Sequence, residues 1–284
     1  METFKYIKPT SLNEAIEALQ KYDNAFVLAG GTDLLVKMKY RTIRPGCIVD
    51  IKAIPGINAF EFNQGWRFGT LITVRDIEVS STLEQKMPFL VQAAKALGSI
   101  SIRNRATLGG NLCNASPCAN FGAMFLALNA RVKIVSHKGI REQSLQDFFI
   151  GPSETVMRKG ELLTEIIVPK DESKSEGVFL KFSVGKSNDL GLVNIAIALQ
   201  RDTGKNHCKK ISIAMGAVAP IPMRASRAEA ILTHNPLTPE LIASAAKAAA
   251  DEASPISDHR ASADYRRHLV QVLVTKGIKS LCNA

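Results

Sequence analysis

A chain of 284 residues, 22% charged and 46% apolar, is long enough for about two domains with real cores and is not the composition of a disordered protein. Lys and Arg number 36 against 26 Asp and Glu, a net charge of +10, yet no basic run exceeds two residues and aromatics are only 6%, which excludes a nucleic-acid binder and favours an anionic ligand or an acidic partner surface. The 5 cysteines contain no CxxC pair, the N-terminus has no apolar signal core, and no uncharged stretch approaches the ~18 residues of a membrane span, so the chain is expected in the cytoplasm.

Ser11-Leu12-Asn13-Glu14 reads as a capping box ahead of Ala15, Ile16 and Leu19 at helical spacing. Residues 25–29 form a short apolar strand that runs into Ala29-Gly30-Gly31-Thr32-Asp33-Leu34, where Asp33 is expected to cap a helical turn through Leu34, Leu35 and Met38. A strand at 47–51 and Pro55-Gly56 close a first α/β unit, 1–56. In a second unit, 57–172, residues 66–69 read as strand, Thr73 as a cap and 88–98 as a helix. Thr107-Leu108-Gly109-Gly110-Asn111 then reads as a second glycine loop, Ser116-Pro117 as a helix start and 121–128 as a buried helix. Strands are expected at 132–135 and 162–168, with a turn at Lys138-Gly139. The hydrophilic run 169–177 marks a linker. Beyond it, in a unit spanning 177–284, come strands at 178–184, 192–199 and 210–218 and helices at 224–232, 239–251 and 261–281, an α+β order.

The two glycine segments carry the functional signal. Paired glycines let main chain approach a ligand and let successive N–H groups converge on an anion. Neither segment fits G-x-G-x-x-G or the P-loop pattern, so neither a Rossmann nor a P-loop assignment follows. Residues 107–120 contain no charge and lead into an apolar helix, a segment expected to be buried against something polar. Together the segments suggest two walls around one phosphate-bearing cofactor. Cys113 and Cys118 have no neighbouring ligand and read as small buried side chains. His137, His207, His234, His259 and His268 show no ligand spacing, so neither a metal site nor a hydrolytic centre is expected. Arg103 and Arg105 read as solvated charge or as neutralising a diphosphate, and Arg266-Arg267-His268 as a solvated helix face or a subunit contact.

These motifs resemble the FAD-binding, medium subunit of the molybdenum hydroxylases, the xanthine dehydrogenase and carbon monoxide dehydrogenase type. The resemblance runs nearly end to end, through both glycine segments, Ala115-Ser116-Pro117, Glu161 to Ile166, Lys181-Phe182-Ser183 and Tyr265 to Leu269. It implies an FAD-binding fold of the p-cresol methylhydroxylase type in two α/β subdomains, followed by a domain of three antiparallel strands with helices. It also implies that Val27, Leu28, Ala29, Gly30, Gly31, Thr32, Asp33 and Leu34 cradle the diphosphate, with Thr107, Gly109, Gly110 and Asn111 as the second wall and Ser116 also at the cofactor. Leu97, Asn120, Leu163 and Lys181 complete the implied set, with no catalytic acid or base. Asn120 stands where the family commonly has Asp, and Gly185-Lys186 where it often has Arg. Neither glycine segment carries a histidine, so the FAD is expected to be non-covalent. The implied partners are a 2Fe-2S subunit and a molybdopterin-binding subunit in a heterotrimer or its dimer. NAD+ or another acceptor takes the electrons, and the complex hydroxylates xanthine, another purine or a related N-heterocycle. A stand-alone flavin oxidase and a non-catalytic scaffold of the same fold are the alternatives.

Overall fold

The computed structural model describes residues 3–185, 190–202 and 207–283. Its first layer is a parallel sheet in which β3 (Cys47–Asp50) lies between β1 (Lys5–Ile7) and β2 (Ala25–Leu28). Helix α1 (Leu12–Lys21) crosses from β1 to β2 and buries Ala15, Ile16, Ala18 and Leu19. Ser11 Oγ accepts the Glu14 N–H at 3.2 Å, but Glu14 turns back to the Thr10 N–H at 2.8 Å rather than to Ser11, so the expected box is shifted by one residue. β2 leads through the first glycine segment into α2 (Leu34–Lys39). Asp33 makes no side-chain cap there; its own backbone is already helical, at φ −101° and ψ −46°, a conformation unlike that of a capping residue.

The second layer is an antiparallel sheet in the order β4 (Phe60–Phe62), β5 (Gly65–Gly69), β10 (Leu162–Pro169), β6 (Arg131–Ser136), β7 (Gly139–Ser144), with a small hairpin of β8 (Phe149–Gly151) and β9 (Glu154–Thr155) beside it. Six short helices lie between β5 and β6: α3 (Val74–Glu78), α4 (Ser81–Lys86), α5 (Pro88–Lys95), α6 (Ile100–Arg103), α7 (Leu108–Cys113) and α8 (Asn120–Ala127). Three expectations are corrected here. The second glycine segment is the helix α7, with Thr107 as its cap, because Thr107 Oγ accepts the Gly110 N–H at 3.1 Å. Ser116-Pro117 does not start a helix; α8 begins at Asn120, after Ala119. The helix expected over 88–98 stops at Lys95, and Gly98 takes a left-handed turn at φ +48°. All eight residues of α8 are buried, which is why an apolar run without a polar face marked it correctly as a core helix.

The third layer is an antiparallel sheet of β11 (Glu176–Phe182), β12 (Val193–Arg201), β13 (Cys208–Gly216) and β14 (Met223–Arg224), covered by α9 (Ser226–Leu232), α10 (Pro239–Glu252) and α11 (Ala263–Cys282). Three long strands were expected; the fourth is two residues long, too short to leave a periodic trace. Side-chain alternation divides the central strands. Ile195, Ile197, Ile213 and Met215 pack with the helices, whereas Ala196, Ala198 and Ala214 join the aromatic core of Phe68, Phe121 and Phe125 around α8. The expected linker at 169–177 is tied down instead. Glu172 is buried there, accepts Asn129 Nδ2 at 3.0 Å and pairs with Lys210. Arg266 is likewise not solvated; it donates to the Leu192 carbonyl at 2.9 Å and pairs with Asp258 at 2.9 Å. Among the described residues no helix is long and apolar enough to cross a membrane.

Candidate functional site

The three layers meet around one cavity of about 1010 Å³, at the upper end of the roughly 300–1,000 Å³ of small-molecule pockets and roomy enough for a dinucleotide. Its floor is set by a β-bulge. β10 shifts register between Leu163 and Glu165, and the freed Thr164 carbonyl accepts the Thr70 N–H at 3.0 Å. Thr70 in turn accepts the Gly109 N–H at 2.9 Å and lies so close that a Cβ on Gly109 would sit 1.6 Å from its Oγ1. Gly30 presses on the same region from the other side, where a Cβ would fall 1.8 Å from the Arg105 carbonyl oxygen. The first glycine segment therefore lies against the main chain of Arg105 and Ala106, just ahead of the second.

Their main-chain groups differ. Among the described residues, the N–H groups of Gly30, Gly31 and Thr32 meet no protein acceptor, and Gly31 has φ +80°, so this bend presents donors to the cavity. In the second segment the donors are already used. Leu108 N–H goes to Ile72 O, Gly109 N–H to Thr70 O, Gly110 N–H to Thr107 Oγ, and Asn111 N–H to Thr107 O. The expectation that Gly109-Gly110 offers unpaired amides is corrected on this point. What this wall offers is the side chain of Asn111, whose Oδ1 is buried without a partner, beside Gly110, where a Cβ would meet only Thr107 Oγ1, at 2.8 Å. An orphaned buried acceptor costs about 1–3 kcal/mol, so it marks a position where a donor is wanted.

Of the other candidate residues, Val27, Ala29, Asp33, Leu34, Leu97, Thr107, Ser116, Asn120, Leu163 and Lys181 line the cavity. Leu28 does not; its side chain packs beneath Gly31. Asn120 Nδ2 donates to the Ala93 carbonyl at 3.0 Å and Lys181 Nζ to the Ala96 carbonyl at 3.0 Å, so both hold the C-terminal end of α5 against the cavity. Lys186 lies outside the described residues. Arg103 is neither solvated nor turned to a phosphate. It is buried, forks onto both Glu78 oxygens at 2.8 and 3.0 Å, and donates to the Leu97 and Gly98 carbonyls. Burial alone would raise the Glu78 carboxyl, but Arg103 and Arg75 outweigh it and hold it below the ordinary glutamate value. Cys113 and Cys118, expected to be buried, also line the cavity; Cys113 is exposed, and Cys118 shares a hydrogen bond with Ser116 Oγ at 3.2 Å.

Sequence reasoning passed over Lys37, Asn114 and Glu161. Lys37 Nζ reaches from α2 to Asn114 Oδ1, just past α7, at 2.7 Å. Glu161 is held by the Arg141 fork at 2.9 and 2.7 Å, which keeps its carboxyl below the ordinary glutamate range. Asp33 is exposed as a residue, yet desolvation of its carboxyl raises it above the ordinary aspartate value, with Lys37 opposing.

A cavity built from paired glycine segments outside the Rossmann pattern, with donors on one wall and an orphaned acceptor on the other, suits a phosphate-bearing ligand with a polar edge. The family comparisons agree. Residues 2–171 match the FAD binding domain in molybdopterin dehydrogenase, and residues 179–281 match the CO dehydrogenase flavoprotein C-terminal domain. The glyceraldehyde dehydrogenase medium chain of Sulfolobus acidocaldarius is 33% identical over 279 residues, 98% of each chain. The nicotine 6-hydroxylase medium subunit of Paenarthrobacter nicotinovorans is 31% identical, over 98% of this chain and 97% of that one. The solved carbon monoxide dehydrogenase of Hydrogenophaga pseudoflava superimposes with a TM-score of 0.93 at 30% identity, covering 98% of this chain and 96% of that one. The chain belongs to the FAD-binding medium subunits of the molybdenum hydroxylase family, the carbon monoxide dehydrogenase and xanthine dehydrogenase type. It is an oxidoreductase flavoprotein subunit.

Proposed function

We propose that this chain binds FAD in the cavity and relays electrons within a complex that also contains a 2Fe-2S subunit and a molybdopterin-binding subunit. The observation that carries the reading is the pairing of unpartnered Gly30, Gly31 and Thr32 N–H groups with the orphaned Asn111 Oδ1 on one cavity. Donors without acceptors suit a diphosphate, and an acceptor without a donor suits a polar edge of a nucleotide. Bound FAD supplies the redox chemistry, exchanging electrons between the iron–sulfur partner and NAD+ or another acceptor. The polypeptide binds, orients and encloses: Gly30 lets the donor bend lie on the Arg105 carbonyl, Gly109 seats α7 on Thr70, and Asn120 and Lys181 fix the end of α5. The substrate, an N-heterocycle such as a purine, belongs to the molybdenum partner. We place the units of the chain at 1–56, 57–172 and 177–284.

Purification tests this directly. The native protein is expected to be yellow, to co-purify with iron–sulfur and molybdenum chains, and to reduce dyes with NADH. A colourless chain that takes up no FAD would leave only the scaffold alternative. A yellow chain that purifies alone and turns over substrate would make it a free-standing oxidase. Gly110→Val, whose side chain meets Thr107 Oγ1 and otherwise open cavity, is expected to give folded protein without flavin; full occupancy in that variant would refute the placement of the second wall.

A further inference from the structure

We propose that Lys37 is an electrostatic clasp for the diphosphate, held in place by a neutral acceptor so that its charge stays available; the inference rests on the FAD reading above. Among the described residues the cavity is lined by two cations, Lys37 and Lys181, and two carboxylates, Asp33 and Glu161. Glu161 is neutralised by Arg141. Lys181 is engaged at the Ala96 carbonyl, on the α5 side. Lys37 belongs instead to the donor bend: it lies one turn beyond Asp33, and its own N–H bonds to the Asp33 carbonyl at 2.9 Å.

What holds Lys37 decides what it can do. Its ammonium has three donors, and one is given to Asn114 Oδ1 at 2.7 Å. An amide oxygen fixes the position of the side chain without cancelling its charge, whereas a carboxylate at that place would do both. The bridge also joins α2 to the end of α7, so the same contact straps the donor bend to the opposite wall. A dianionic diphosphate held on the Gly30–Thr32 donors would share the cavity with the adjacent Asp33, and Lys37, on the same wall, is the cation placed to offset that repulsion. A strap and a clasp make opposite demands on position 114. A strap is strengthened by a charged partner for the lysine; a clasp is weakened by it.

The test is a titration of the full chain, stripped of flavin, with FAD, followed by flavin fluorescence at low and raised sodium chloride. Circular dichroism checks that each variant is folded. Lys37→Met is expected to raise Kd at least about tenfold and to flatten its salt dependence. Asn114→Asp, which keeps the strap and cancels the charge, is expected to weaken FAD by about tenfold as well, while Asn114→Ala stays within about threefold of the native chain. Native-like affinity in Lys37→Met, or Asn114→Asp binding as tightly as the native chain, would overturn the clasp and leave FAD binding itself intact. A native chain that binds no FAD would overturn the proposed function first, and the clasp with it.

Discussion

The two walls of the cavity use the same pair of residues for opposite ends. At Gly30-Gly31 the backbone turns its amides outward, unpaired, and the absence of a Cβ lets the bend lie on the Arg105 carbonyl. At Gly109-Gly110 the amides are spent on Thr70 and on the Thr107 cap, and the glycines serve to seat a short helix against β-structure. One wall donates through main chain and the other accepts through a side chain. A glycine pair thus reports close approach; which groups are left over is decided by neighbours distant in sequence.

The largest effect that can break this comparison is expected at Arg103. Its side chain is 10% exposed beside Glu78 at 12%, and Arg103→Met leaves that carboxylate only the more exposed Arg75 and takes the guanidinium donor from the Leu97 and Gly98 carbonyls. A loss of about 3 kcal/mol in urea unfolding is expected; a loss under about 1 kcal/mol would mean the second wall does not depend on this pair. Gly30→Ala pushes a methyl into the Arg105 carbonyl and should separate the walls, weakening FAD by about a hundredfold in a fluorescence titration. Unchanged affinity would show that the walls need not touch. Asn111→Leu sharpens the contrast with a two-way outcome. Removing the orphaned Oδ1 should stabilise the flavin-free chain by about 1 kcal/mol while FAD binding falls about tenfold. A fall in both would argue that Asn111 is structural.

The smallest effect is acid sensitivity at the cavity's edge. Arg141 depresses the Glu161 carboxyl below its ordinary value of 4.5. Its contribution to stability is therefore complete above that value and is lost as the pH falls through the lower, folded-state value. Thermal melts of the native chain and Glu161→Gln should draw together as the pH falls below 4.5; parallel curves across that range would remove Glu161 from the account.

Much of the architecture was legible because local patterns and burial agree. The apolar run of α8 lacks a polar face, and all of it is buried. The first bend was readable from a strand ending in Gly-Gly-Thr. The second wall was misread because consecutive glycines disfavour helix, and what overrides that preference is the Thr107 cap together with hydrogen bonds to Ile72 and Thr70, tertiary partners that no local pattern announces. Arg103 looked solvated because Asn104 and Arg105 beside it are, yet its partner Glu78 lies on a different helix. Lys37 was one cation among 36, and only its reach across the cavity to Asn114 sets it apart.

The alanines that β12 and β13 turn toward α8 carry a mechanical consequence. Methyl groups at Ala196, Ala198 and Ala214 make a low-relief surface, with few ridges to lock into a neighbour's grooves. Sliding of the C-terminal layer past α8 is opposed instead by discrete polar pins: Arg224 on Asn129 at 2.7 Å, Asn194 on the Cys118 carbonyl at 2.8 Å, Lys181 on the Ala96 carbonyl, and the Phe179 N–H on Gln92. Alignment between the two halves is thus set by a handful of directional contacts, and loosening them would detune the cavity's dimensions while the greasy contact between the layers persists.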